Sequence, residues 1–322
     1  MPFLTETEPT RGVALPVLPG IRRVVARNPS VMTYHGTNTY LVEAPDGMSV
    51  IDPGPADDTH IADVIRAAGD VSIRRLILTH SHADHMGATA KMKAETNAVV
   101  YAYHQPMKAG FLPDAGLHDG DEVAGLRALF TPGHAGDHLA FAYQVPGTGE
   151  VLFSGDHVMS WSSSIVSPPE GDMVAYYRAL ELLLGRGEMF YLPGHGPLLP
   201  APQGLVRELL DHRQKREATI LAALQSREQT VAELADHLYA KANLFLKVAA
   251  QRNVLAHLLK LVHEGKVRQI PDPQAAQPTE PVFASAGLQS STDPDPDDAM
   301  AVKPGQIEMY VRDAARRFAV AA

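Results

Sequence analysis

At 322 residues the chain can close a large core and a smaller appendage, and with no cysteine it excludes disulfides, thiolate metal sites and a cysteine nucleophile. A formal net charge of −9 argues against a protein whose main task is coating nucleic acid. No apolar run approaches the roughly 18 residues needed to span a bilayer. The first ten residues carry Glu6 and Glu8 and no basic stretch ahead of an apolar one, so neither a signal nor a transit peptide is read there and a cytoplasmic protein is expected.

In chain order, residues 21–26, 39–43 and 48–51 read as strands separated by turn-rich segments. Asp52-Pro53-Gly54 ends the third, where Asp52 either lies under a later loop and accepts its hydrogen bonds or simply forms the turn. Residues 57–68 fit a helix with Ile61, Val64 and Ile65 on one face, closed by Gly69. The apolar run 76–78 reads as a buried strand that stops at Thr79-His80-Ser81-His82-Ala83-Asp84-His85. Residues from 88 onward favour helix, which places three histidines and a carboxylate on a strand-to-helix loop. A strand is expected around 98–101 and a loop near the cluster over 104–120, with His104 and His118 as surface or packing side chains.

Three further apolar runs, 123–130, 151–153 and 189–192, lead into Thr131-Pro132-Gly133-His134, Ser154-Gly155-Asp156 and Pro193-Gly194-His195-Gly196. All four segments look like strand ends delivering a nitrogen or oxygen donor to one sheet edge. Residues 139–145 and 151–153 should form a hairpin around Pro146-Gly147-Thr148-Gly149. Beyond the last histidine, 204–224, 229–239 and 248–263 carry helical periodicity, Gly265 caps the third, and 266–270 suits a strand. Helix, helix and strand make a small winged-helix-like module, more naturally a packing lobe than a nucleic-acid reader given its few cations. The expected division is a catalytic domain over 1–203, a helical, winged-helix-like domain over 204–270, and a linker and flexible tail over 271–322 with a terminal helix at 309–320.

Neutral imidazole and carboxylate are the ligands a borderline cation such as zinc selects. His80 and His82 flank one position, while Asp84 and His85 can turn toward a second, a cradle for two metals. Two cations sharing a solvent molecule hold a hydroxide ready at neutral pH.

H-x-H-x-D-H, followed in order by T-P-G-H, G-D and P-G-H-G, resembles the metallo-β-lactamase-fold hydrolases over roughly residues 20–200. The resemblance implies an α/β fold, a four-layer αββα sandwich. It implies that His80, His82 and His134 bind one metal, that Asp84, His85 and His195 bind the other, and that Asp156 bridges. Two zinc ions are expected, with manganese(II) or iron(II) as alternatives, and Asp84 is the catalytic carboxylate that orients the hydroxide. His157 is a candidate proton donor to the leaving group or, in the plainer reading, a neighbour packed behind the site. Trp161 either walls the substrate pocket or anchors its own loop.

Departures narrow the family. Zinc β-lactamases usually lack an acid where Asp156 stands, flavin-linked diiron relatives carry Glu where His82 stands, and the interval from His134 to His195 leaves no room for a β-CASP insertion. Over the whole chain the β-lactamase-like protein 2 group is similar, through Gly36-Thr37-Asn38-Thr39-Tyr40, Ser154-Gly155-Asp156, Pro193-Gly194-His195-Gly196-Pro197 and His212-Arg213, while the Trp/Ser/Pro-rich stretch 156–170 departs from it. Its mitochondrial member cleaves single-stranded RNA. The first expectation is therefore a dinuclear zinc hydrolase acting on a small thioester or ester, like hydroxyacylglutathione hydrolase. The alternative is a single-stranded RNA endoribonuclease, and behind both stands a mononuclear iron sulfur dioxygenase. No membrane partner is expected; a homodimer is left open.

Overall fold

Side chains along residues 38–51 are committed alternately to two layers. Tyr40, Val42 and Ile51 join one buried cluster while Leu41 and Val50 join another, the period-two pattern of strands buried on both faces. The computed structural model describes residues 3–240, 244–271, 309 and 312–321. They fall into two compact units, Met1–Arg216 and Glu217–Ala322.

In the first unit, β1 (Leu15–Leu18), β2 (Ile21–Val25), β3 (Asn38–Ala44), β4 (Gly47–Ile51), β5 (Ile73–Ile77), β6 (Val99–Tyr103) and β7 (Ala115–Leu117) form one sheet in chain order. Pairing is antiparallel as far as β4 and parallel from β4 to β7. Parallel neighbours need crossovers, supplied by α1 (Asp58–Ala68) and then by α2 (Ala83–Met86) with α3 (Thr89–Thr96). Asp57 caps α1 by accepting from the Thr59 and His60 amides, which satisfies two of the donors every helix start leaves open. Ile61, Val64 and Met92 cover one face of this sheet together with Leu76 and Val100.

The second sheet runs β13-β12-β11-β10-β9-β8, made of β8 (Glu122–Val123), β9 (Leu126–Phe130), β10 (Leu139–Val145), β11 (Gly149–Gly155), β12 (Phe190–Pro193) and β13 (Leu199–Pro200). Phe141, Phe153 and Leu192 of this sheet pack with Tyr40, Ile51 and Ile77 of the first. The two sheets are thus stacked face to face in the expected sandwich. The crossover between parallel β11 and β12 is α4 (Met173–Leu184), capped by Asp172 accepting from the Ala175 amide.

α5 (Gln203–Ser226) begins in the first unit and ends in the second. The second unit continues with β14 (Gln229–Thr230), α6 (Val231–Leu238), α7 (Leu244–His263), β15 (Val267–Ile270) and β16 (Arg317–Val320), a winged-helix order of elements. A capping box starts α6, with Thr230 Oγ1 accepting from the Glu233 amide at 3.1 Å and Glu233 Oε2 accepting from the Thr230 amide at 2.7 Å. Here the structure corrects the expected terminal helix at 309–320: among the described residues only 309 and 312–315 are helical before Arg317–Val320 becomes a strand. β16 is the middle strand of three, Phe318 pairing with Gln229 on one side and Gln269 on the other. Two open strand edges and a buried slot for Phe318 outweigh the local helical preference. The linker expected over 271–300 lies, Pro271 apart, outside the described residues. No helix among the described residues is long and apolar enough to cross a membrane.

Candidate metal centre

Each side chain named for the cluster sits where a strand stops. β5 ends at Ile77 and the chain turns through His80 and His82 into α2, which carries Asp84 and His85. His134 follows β9, Asp156 follows β11 and His195 follows β12. Parallel neighbours β4 and β5, and β11 and β12, bring these ends to one rim, the usual place for a site in an α/β sheet. All seven side chains meet. Donor atoms of His80, His82 and His134, of His80, His85 and Asp156, and of Asp84, His85 and His195 form three groups, each spanning no more than 4.8 Å.

Partners outside the cluster decide which ring nitrogen faces in. Asp52 Oδ2 can only accept, so His85 donates Nδ1–H to it at 2.9 Å and keeps its Nε2 lone pair for the cluster. Thr79 donates its hydroxyl to Asp52 Oδ2 at 2.8 Å and receives the His80 Nδ1 proton at 3.0 Å. His134 donates from Nδ1 to the Ile165 carbonyl at 2.7 Å, and His195 from Nδ1 to the Gly36 carbonyl at 3.3 Å. His82 is turned the other way. Its Nε2 faces Glu170 Oε2 at 3.3 Å, leaving Nδ1 at 2.9 Å from His80 Nε2 and 3.0 Å from His134 Nε2. With His82 Nδ1 in hydrogen-bond reach of both other nitrogens, the three lone pairs cannot all be satisfied by shared protons, whereas one cation satisfies all three.

The other half of the cluster is built around Asp156. Its Oδ2 lies 3.4 Å from His195 Nε2 and 3.7 Å from His134 Nε2, and its Oδ1 lies 3.5 Å from His85 Nε2. Asp84 Oδ2 lies 3.3 Å from His195 Nε2 and 3.6 Å from His85 Nε2. His85 Nε2 and Asp156 Oδ1 are buried without a hydrogen-bond partner. Such orphaned atoms are costly unless something else bonds them, and their chemistry fits a divalent cation. Gly194 makes the approach feasible, since a Cβ there would come within 2.4 Å of Asp156 Oδ1.

Protonation follows the same split. Burial and the neighbouring His82 push His134 down to about 4, and burial with His85 pushes His80 well below the usual imidazole range. Burial also pulls on His195, but Asp156 and Asp84 outweigh it and hold its pKa up to about 9. Burial alone would raise Asp156; His195 and His85 overcome it and keep the carboxyl ionised far below its ordinary range.

Asp52 takes the supporting position rather than a mere turn. It sits at φ 51°, a left-handed conformation uncommon for a residue with a side chain, while Oδ1 accepts the Thr79 amide at 2.8 Å. His157 is not brought to the open side. Its ring is wholly buried against Tyr176 (4.6 Å between centroids) and His138 (5.8 Å), and burial pushes its pKa down to about 3. Trp161 stacks on Tyr34 at 5.1 Å and lies over Gly196, bracing its loop.

Sequence reading gave no role to three contributors. His138, four residues after His134, is buried with Nδ1 2.8 Å from Thr131 Oγ1 and its ring 5.3 Å from that of His80. Its place in the same short loop was a usable signal. Glu170 had none, being one acid in an irregular stretch. Arg213 of α5, almost wholly buried, donates to the Ser164 carbonyl, and Ser164 Oγ donates to the carbonyls of Asp156 at 2.6 Å and His157 at 2.9 Å. The turn joining Asp156 to the carbonyl that orients His134 is thereby clamped.

Comparison with known proteins agrees with this geometry. The family described as Metallo-beta-lactamase superfamily matches residues 32–195, and the Beta-lactamase associated winged helix domain matches residues 230–276. A Beta-lactamase-like protein 2 homolog from Drosophila melanogaster is 32% identical over 268 residues, covering 76% of this chain and 89% of that protein. An Atrochrysone carboxyl ACP thioesterase from Aspergillus chevalieri is 31% identical over 244 residues, covering 70% and 75%. A metallo-β-lactamase family protein of known structure from Thermus thermophilus shares the fold at a TM-score of 0.65 and 24% identity, covering 79% of this chain and 97% of that one.

Proposed function

Because the chain belongs to the metallo-β-lactamase superfamily and is a metal-dependent hydrolase, we propose that it is a dinuclear zinc enzyme that cleaves a small thioester or ester. The observation that carries two metals is Asp156, whose carboxylate stands beside His134 of one triad and beside His85 and His195 of the other. His80, His82 and His134 would hold one ion and Asp84, His85 and His195 the second, with Asp156 placed to serve both. Nitrogen and oxygen donors alone favour zinc, with manganese(II) and iron(II) as the competing occupants. Metal bound there would supply an activated water and Lewis acidity at the attacked oxygen.

The chain's own residues do the positioning. Asp84, partly exposed beside His195, accepts a hydrogen bond from the attacking water and orients it toward the scissile carbonyl. Asp52, Gly36 and Ile165 fix the orientations of the His85, His195 and His134 rings. Asp52→Asn keeps a residue tolerant of the left-handed backbone but weakens the acceptor. Metal affinity should fall on the order of ten- to a hundredfold, read by competition with a chromophoric chelator.

A carbonyl substrate is favoured over RNA by the second unit's charges. Arg227, Lys247, Arg252, Lys260, Lys266 and Arg268 each face a carboxylate at 2.6 to 3.8 Å, which leaves little for phosphates. Relatives named as thioesterases point the same way. Parallel assays with an acyl-glutathione thioester and a short single-stranded RNA, each at low and high salt, test the choice. Thioester turnover insensitive to salt, abolished by chelation and restored by zinc, is expected. RNA cleavage that collapses with salt and no thioester turnover would overturn it, and oxygen uptake with a persulfide would mark iron dioxygenase chemistry instead.

A further inference from the structure

Beside His82 a cleft of about 270 Å³ opens between Ser81, Met107, Lys108, Ala135 and Glu170. A second, of about 310 Å³, is largely apolar, lined by Met86, Ala90, Val100, Phe111 and Leu112. Lys108 lines both. Its backbone is not free to drift: the Lys108 amide donates to Ser81 Oγ at 3.1 Å, and the Met107 amide to the buried Asp137 Oδ2 at 2.9 Å. Lys91 and Lys93 nearby in sequence hold Asp58 and Asp114 at 2.6 and 2.5 Å. Among the described residues, Lys108 holds no carboxylate within salt-bridge distance. Glu170, on the facing wall, turns its carboxylate to His82. Leu112 is 82% exposed, an apolar side chain left in water at the rim of the second cleft.

Building on the thioester reading, we propose that Lys108 binds an anionic oxygen group of the substrate, a carboxylate or phosphate, and that the second cleft takes an apolar acyl chain. In an acidic chain, a cation at the mouth of the site that lies outside salt-bridge distance of any carboxylate among the described residues, with Glu170 across the cleft bonded to His82, is matched to a charge that arrives with the ligand. Lys108 also lines the apolar cleft, so an acyl chain is the occupant whose chemistry fits there.

Three thioesters separate the sources of the charge: octanoyl-N-acetylcysteamine (neutral), the octanedioyl monothioester (carboxylate on the acyl group) and octanoyl-phosphopantetheine (phosphate on the carrier). Lys108→Ala should raise KM about tenfold for one or both anionic substrates, leave the neutral one within about twofold, and leave kcat unchanged; Lys108→Arg should restore the preference. Leu112→Asp should erase the preference for octanoyl over acetyl thioesters. Equal KM changes for neutral and charged substrates would overturn the assignment. Calorimetry with octanedioate and octanoate gives a readout independent of turnover. If none of the thioesters is cleaved but octanedioate binds more weakly to Lys108→Ala than to the unaltered protein, the subsite stands and the cleavage reading falls. If octanedioate binding ignores Lys108 as well, both fall.

Discussion

Replacing Asp156 with alanine will leave a folded protein that retains at most one metal per chain and has lost turnover by about a thousandfold or more. The figure follows from the several kcal/mol that paired cations contribute to charge stabilisation in hydrolysis, about 1.4 kcal/mol for each factor of ten. Asp156 is only 6% exposed, and its carboxylate stands among His85, His134 and His195. No other acid in the cluster reaches both halves, because Asp84 approaches only His85 and His195. Metal content measured alongside a thermal melt separates loss of the bridge from loss of the fold. Two tightly held ions in the variant would refute the bridging assignment outright.

The second large effect is expected far from the chemistry. Phe318→Ala should destabilise the second unit by about 3–5 kcal/mol, the range for emptying a buried aromatic site. Phe318 is wholly buried in a cluster with Leu234, Val254, Leu258 and Val267, and sits on the middle strand of its sheet. The measurement has to be chosen with care, since the only tryptophan, Trp161, lies in the first unit. Far-ultraviolet circular dichroism follows the helices of both units, while Trp161 fluorescence follows the first alone. A denaturation midpoint that shifts in the former and not in the latter is the predicted pattern. A shift of under about 1 kcal/mol, well below the cost of emptying such a site, would mean that the strand does not carry the unit.

What was legible in the sequence was local. Four of the seven clustered side chains lie within six residues at a strand end, and the other three each follow an apolar run, so spacing and residue type sufficed to nominate them. The helix over Asp58–Ala68 announced itself through Asp57, its apolar face and Gly69. What failed was whatever depends on a distant partner. The support from Asp52 could not be told from a turn until Thr79 and His85 were seen bonded to it. Arg317–Val320 looked helical because nothing local reveals two waiting strand edges. Met173–Leu184 is a different kind of miss: Met173, Tyr176, Leu180 and Leu183 recur at helical spacing behind the capping Asp172, and the signal was there to be read. Lys108 and Glu170 lie in irregular segments, where periodicity has nothing to say.

The late position of β16 has a consequence for biosynthesis. Every residue of the metal cluster has been joined to the chain before Arg216 is added, so the stacked sheets can close while translation continues. The second unit has no such head start: its central strand is encoded after residues 271–316, and its sheet stays open until Val320 emerges. A message cut short anywhere in that interval would yield a polypeptide able to assemble its chemistry yet unable to finish its other half, with β14 and β15 exposed as adhesive edges.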